Sequence, residues 1–221
     1  MIERLLPSWV RAVDTTQDAS EDTLWPAERA VVSRAVTKRR VEFATVRVCA
    51  RAALAELGVP PAPILPGARG APGWPAGIVG SMTHCAGYRA AAVATEEFAA
   101  SIGIDAEPHA PLPDGVLDAI ARPEEHRWLA ELAVSAPHVH WDRLLFSMKE
   151  SVYKAWFPLT GSWLDFEEAS ITVEPSAGAF AAVLQVPGPV LGGRELTTFA
   201  GRFSTSDTLV LTAIAVPAGA G

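Results

Sequence analysis

The stretch Ser101-Ile102-Gly103-Ile104-Asp105-Ala106-Glu107-Pro108 decides how this 221-residue chain is read. Its β-branched residues predict a strand over 101–106, and Pro108 cannot continue a ladder. Side chains alternate along a strand, so Asp105 and Glu107 project to one face, about two pleats apart. Two neighbouring carboxylates repel each other unless a cation lies between them. An exposed acidic turn would also explain the pair. The choice rests on what the rest of the chain supplies.

Upstream, Ile78 to Thr83 and Tyr88 to Thr95 read as strands, with a hairpin turn at Cys85-Ala86-Gly87. Pro60 to Pro75 is a Pro/Gly-rich loop. Before it, Thr37 to Leu57 is the clearest long helix of the first half. Phe43, Val46, Ala50, Ala53, Leu54 and Leu57 recur at three-to-four spacing, and Gly58 with Pro60-Pro61 stops the run. Arg40, Arg47 and Arg51 share another face, with no acid at helical spacing beside them. Most such stripes are solvated surface; in an acidic chain an anion site is the rival reading. The first twenty residues are weakly patterned and are expected to be irregular.

Downstream, Pro108 to Pro113 reads as a linker. Short helical patterns follow over Val116 to Ala121 and after Pro123, where Glu124 and Glu125 suit a helix N-terminus. His140 to Phe157 is an amphipathic helix. Trp141, Leu144, Leu145, Met148, Val152 and Ala155 form its apolar stripe. Arg143, Ser147, Glu150 and Lys154 fall opposite, Lys149 lies at the border, and Pro158 is expected to end the helix. The period then changes to two: Ser170 to Glu174, Phe180 to Val186, Thr198 to Ser204 and Thr208 to Val216 read as antiparallel strands, with a tight turn at Ser206-Asp207. Each half holds one long helix and about three strands. The expected fold class is α+β, with two similar lobes (1–108 and 109–221) in a pseudo-two-fold arrangement and a cleft between them.

Composition narrows the function. A formal charge of −7 argues against a nucleic-acid binder that works by neutralising phosphates. Apolar residues at 49% and charged residues at 19% exclude global disorder. Cys49 and Cys85 stand in neither metal-ligand nor redox spacing and read as reduced core residues. No signal-peptide pattern or membrane-length apolar run is present, so a soluble, cytoplasmic protein is expected.

Asp105 and Glu107 offer two carboxylates and Glu150 on the second long helix could offer a third, a donor set that suits magnesium with water and phosphate. Against this, Glu150 and Lys154 make an ordinary i,i+4 surface pair, worth about 0.3–0.5 kcal/mol, and spacing alone favours that reading. Ser81 lacks the second glycine of a nucleophile elbow. His84 and Cys85 point to opposite faces of a strand, which disfavours a Cys–His pair. His138 and His140 have no third ligand nearby in sequence and read as loop residues.

Three segments taken together resemble the signatures of one enzyme family. Gly80-Ser81-Met82-Thr83-His84-Cys85-Ala86-Gly87-Tyr88-Arg89, Gly103 to Pro108, and Lys149-Glu150-Ser151-Val152-Tyr153-Lys154-Ala155-Trp156 resemble those of 4′-phosphopantetheinyl transferases of the Sfp/EntD type, most closely its actinobacterial members. The resemblance runs in order and at compatible spacing from about Lys38 to Val216. It implies transfer of the phosphopantetheine arm of coenzyme A to a serine of an apo acyl or peptidyl carrier protein, in support of fatty-acid, polyketide or nonribosomal peptide synthesis.

Residue by residue, the resemblance implies that Asp105, Glu107 and Glu150 hold Mg²⁺, or Mn²⁺ in its place. Glu150 would also act as the base. Lys149 and Lys154 would neutralise the pyrophosphate as its bond breaks, and Thr83 with His84 would contact a coenzyme A phosphate. Arg39 and Arg47 would hold the 3′-phosphate, although helical arithmetic puts Arg40 rather than Arg39 over Arg47, so either could make that contact. Arg69, in Arg69-Gly70-Ala71-Pro72, stands where the family often has Gly-Lys-Pro, and Phe146 replaces a common Trp in the last motif. Trp156, Phe157, Leu159 and Trp163 are candidates for carrier docking, Trp163 alternatively for lining the pantetheine channel. A monomer is expected. Two other readings compete: a Ser- or Cys-dependent acyl hydrolase, and a coenzyme A-binding module without catalysis.

Overall fold

The computed structural model describes residues 1–219. In chain order its strands and helices are β1 (Arg11–Thr15), α1 (Pro26–Val31), α2 (Thr37–Glu56), β2 (Ile78–Cys85), β3 (Tyr88–Thr95), β4 (Ala99–Pro108), α3 (Val116–Ile120), α4 (Pro123–Ser135), α5 (Trp141–Thr160), β5 (Ala169–Glu174), β6 (Ala179–Leu184), β7 (Val190–Leu191), β8 (Arg194–Glu195), β9 (Thr198–Thr205) and β10 (Leu209–Pro217). The fold is a mixture of helices and antiparallel sheet, as the change of period along the chain predicts.

One antiparallel sheet has the order β1-β3-β2, and a five-stranded one has the order β4-β10-β9-β6-β5. The alanine-rich β3 is buried along nearly its whole length because both its faces are covered. Ala91 and Val93 pack against Cys49, Ala50, Ala53 and Leu54 of α2. Ala90, Ala92 and Ala94 pack on the other side with Ile102, Ile104 and Ala106 of β4. Small side chains permit this close layering.

β4, which sequence order groups with the first half, is hydrogen-bonded along its length to β10, with Asp105 opposite Thr212 and Glu107 opposite Val210. Its other neighbour is β2, and there the two strands exchange no backbone ladder. Serine and threonine hydroxyls bridge them instead. Ile104 donates its N–H to Ser81 Oγ at 3.1 Å, and Ala106 donates to Thr83 Oγ1 at 3.1 Å. The two pairs step forward together along both strands, so β2 and β4 run parallel.

α5 lies across the five-stranded sheet. Leu144, Leu145, Met148 and Val152 enter a core with Ile171, Phe180, Phe199 and Ile214. Gly103 sets how close the helix comes to β4: a Cβ at that position would lie 2.0 Å from Ser151 O and 2.7 Å from Ala155 N. Ser101 Oγ donates to Ala155 O at 2.7 Å on the same line of contact. The hydrophilic side of this amphipathic helix is therefore not a solvated face. Ser147 and Ser151 are fully buried.

Three expectations change. The first twenty residues contain β1, whose side chains are all half-buried and show no alternation to read. α5 continues through Pro158 to Thr160 and stops at Gly161, which takes a left-handed conformation and donates to Phe157 O at 2.8 Å. A two-stranded hairpin, β7–β8, interrupts the stretch before β9. Among the described residues no helix is long and apolar enough to cross a membrane.

Candidate active site

Asp105 is 4% exposed, in the wedge where β4 meets β2 and α5. Its Oδ1 accepts from Lys154 Nζ at 2.6 Å and from Thr83 Oγ1 at 3.2 Å, and its Oδ2 accepts from Ser147 Oγ at 2.8 Å. Glu107 is further out and accepts from Arg143 Nη1 at 2.9 Å. Burial raises the Glu107 carboxyl above its ordinary value; the Asp105 charge adds to the rise and Arg143 opposes it. Burial likewise raises Glu150, with Lys154 opposing and Asp105 adding. Burial is thus the main cause for both acids, and each is also close enough to Asp105 to feel its charge.

A cavity of about 1080 Å³ opens beside this wedge. Glu150 and Lys154 of α5 contribute to its lining, as do Arg39 and Arg47 of α2, His84 of β2 and Arg69 of the Pro/Gly loop. Arg47 Nε donates to Ile64 O at 2.8 Å and Nη1 to Phe43 O at 3.2 Å, and its guanidinium lies over the Phe43 ring. Burial lowers its pKa to about 10, still fully charged at neutral pH. Arg39 touches His84 Nε2. Burial, and next the Arg39 charge, push His84 down, so its imidazole is neutral without a ligand. Arg69 has φ +50° and faces the Trp163 ring at 5.3 Å.

Several residues expected in the cleft are engaged elsewhere. Lys149 is 3% exposed and donates to Glu125 Oε2 at 2.8 Å, Phe166 O at 2.7 Å and Ala169 O at 3.1 Å. Those bonds use all three ammonium protons, so Lys149 ties α5 to α4 and β5. Thr83 does line the cavity, but it is buried and its hydroxyl is already engaged, donating to Asp105 and accepting from Ala106 N–H. Arg40 pairs with Glu21 at 2.7 Å and donates to Ala35 O, and its own side chain does not line the cavity. Arg51 pairs with the fully buried Glu28 at 2.9 Å. The acids that the arginine stripe lacked at helical spacing thus come from other elements. Trp156 is 5% exposed with its indole N–H on Ser162 O, whereas Trp163 is 52% exposed.

Other participants were missed. Arg143 holds Glu107 and also donates to Ala110 O and Pro111 O of the linker after β4. Glu28 fixes the Pro/Gly loop by accepting Ile64 N–H at 2.8 Å. Glu42 stands 3.5 Å from His84 Nε2. Glu42 lies three residues beyond Arg39 and could have been found on the helix; the contacts given for the other two span 32 to 36 residues.

The hydrolase reading loses its nucleophiles. Ser81 Oγ is buried and accepts Ile104 N–H, and burial pushes the Cys85 thiol up to about 12. For a metal, among the described residues no three His, Cys, Asp or Glu side chains already form a cage. The donor set still fits a hard divalent cation. Asp105, Glu107 and Glu150 supply only carboxylate oxygens, the ligand type such a cation takes.

The 4′-phosphopantetheinyl transferase N-terminal domain model matches residues 27–94, and the 4′-phosphopantetheinyl transferase superfamily model matches residues 101–192. The chain is 62% identical to 4′-phosphopantetheinyl transferase Svp of Streptomyces mobaraensis, over all of this chain and 91% of that protein. It is 54% identical to PptT of Mycobacterium tuberculosis over 86% and 84% of the two chains, and 50% identical to Npt of Nocardia iowensis over 97% and 99%. Similarity extends more weakly to enterobactin synthase component D of Escherichia coli, 36% identical over 64% of this chain and 66% of that protein. Matched by both domain models and by relatives along nearly its whole length, the chain belongs to the 4′-phosphopantetheinyl transferase family.

Proposed function

We propose that the chain moves the 4′-phosphopantetheine arm of coenzyme A onto a serine hydroxyl of apo acyl or peptidyl carrier proteins, releasing adenosine 3′,5′-bisphosphate. One observation carries the assignment of residues. Arg39, Arg47 and His84 from one side and Glu150 and Lys154 from the other line the same cavity. Cationic groups at one end suit the phosphates of the nucleotide, with Arg47 and Arg39 on the 3′-phosphate and Arg69 at the rim.

At the other end Lys154 bears on the pyrophosphate and neutralises charge as the bond to the leaving group breaks. Glu150 accepts the proton of the incoming serine. A carboxylate is a weak base in water, and the burial that raises Glu150 makes it a stronger one. Asp105, Glu107 and Glu150 are the residues that would hold Mg²⁺, which supplies further positive charge against the pyrophosphate when bound. Lys149 and Thr83 act on the fold around the site. Phe157, Leu159 and the exposed Trp163 are the surface offered to the carrier, and the protein acts as a cytoplasmic monomer.

The test is to incubate the protein with coenzyme A, Mg²⁺ and an apo carrier protein and weigh the carrier. A mass gain of one phosphopantetheine per carrier is expected. No gain with any of several acyl and peptidyl carriers would overturn the proposal.

A further inference from the structure

We propose that Ser147 is a positioning residue for the transfer reaction, fixing the carboxylate of Asp105 for the cation it serves. This rests on the reading of Asp105 as a Mg²⁺ ligand. Asp105 sits in a buried wedge where a free carboxylate could turn about its own Cα–Cβ and Cβ–Cγ bonds. Ser147 Oγ reaches Oδ2 at 2.8 Å from α5, while Lys154 and Thr83 take Oδ1. With Oδ2 tied to the helix, Oδ1 is the oxygen beside Lys154, which lines the cavity.

Ser147 is itself held. It is fully buried, as is Thr212 on β10 directly opposite Asp105. Thr212 Oγ1 donates to Ser147 O at 2.9 Å and lies 3.0 Å from Ser147 Oγ. The Thr212 proton is committed to that carbonyl. The Ser147 proton goes to the acceptor that is charged and nearer, Asp105. Two hydroxyls and a carboxylate therefore form a chain running from β10 through α5 to β4. Ser147 does not line the cavity, and its hydroxyl is bonded to Asp105, so its influence on the reaction passes through that carboxylate. Partners that orient a ligating carboxylate typically contribute about 10–100-fold to metal affinity.

The experiment reads Mn²⁺ binding directly, by the electron paramagnetic resonance signal of the free ion titrated against the protein with coenzyme A present. Wild type, Ser147→Ala, Thr212→Val and Asp105→Asn are compared. Alanine is smaller than serine and a better helix former, so α5 is expected to stand, and Thr212→Val gives an isosteric second reading of the same chain. Ser147→Ala is expected to weaken Mn²⁺ binding by about tenfold or more, and Thr212→Val by less. The melting temperature should fall by a few degrees, since Asp105 loses one bond to a buried oxygen, while the metal-free affinity for coenzyme A should stay near wild type.

A lowered melting temperature with unchanged Mn²⁺ affinity in Ser147→Ala would reduce Ser147 to a structural residue and overturn the proposal. So would wild-type Mn²⁺ binding by Ser147→Ala and Thr212→Val when Asp105→Asn has lost it. Wild-type binding by Asp105→Asn itself would instead remove Asp105 from the metal site, a separate failure of the reading beneath.

Discussion

α2 and α5 are each 20 residues long and each lies on a sheet, yet they sort their charges differently. Near the cavity α2 carries Arg39 and Arg47 with one acid, Glu42, and two more of its arginines are turned away to acids of preceding segments, Arg40 to Glu21 and Arg51 to Glu28. On α5 adjacent residues have opposite employment: Glu150 lines the cavity while Lys149 is locked on Glu125 behind it. The difference teaches that proximity to a motif does not make a charge functional. What decides is whether a buried partner elsewhere in the chain has already satisfied it.

The sharpest division should appear on α5 and β4. Asp105→Ala or Glu150→Ala is expected to abolish carrier loading while circular dichroism stays that of the folded protein. An active Glu150→Ala would remove that residue from the base role. Next in size is the contrast between the two lysines. Lys149→Met leaves Glu125 buried without its cation and should cost about 3–5 kcal/mol, read as a lower midpoint in denaturant. Lys154→Met should cost less, about 1–3 kcal/mol, because Thr83 and Ser147 still bond the buried Asp105, and it should lose transfer as well. If both variants lose stability equally, the distinction between anchor and cleft charge collapses.

On α2 the same contrast is milder. Arg47→Ala should raise KM for coenzyme A roughly ten- to hundredfold, the value of one or two charge-assisted hydrogen bonds, whereas Arg40→Ala should leave KM unchanged. The smallest expected effect concerns pH. A carboxyl raised in the folded state contributes stability that is fully present below its unfolded value and is lost as pH rises through its folded value. Ionised Glu150 is therefore a net cost at neutral pH, with burial the main cause. In chelator, Glu150→Gln should be modestly more stable than wild type at pH 7, and the gain should disappear below about pH 4, under the ordinary glutamate value. A gain that persists in acid would place its origin outside the charge.

Long periodic elements were legible: α2, α5 and the strands around Asp105 follow from spacing within one segment. β1 was not, because an edge strand with both faces half-covered shows no alternation. Of the site, the alignment of Asp105 and Glu107 on one face is a strand property and could be read directly. The division of labour between Lys149 and Lys154 could not. It depends on Glu125, 24 residues earlier, and on two carbonyls beyond the helix. The hydroxyl partners of Thr83 could not be read for the same reason: they come from β4, which approaches in parallel from 22 residues or more away.

That approach has a mechanical consequence. Where β4 meets β10, a continuous ladder of backbone bonds makes a stiff joint that side-chain substitution leaves in place. Where it meets β2, the joint is two hydroxyls, and it can be loosened or tightened one side chain at a time. The arginine-bearing wall of the cavity hangs from that softer joint. The spacing of the two walls of the cavity is therefore a property that mutation at Ser81 and Thr83 can tune without rebuilding either sheet.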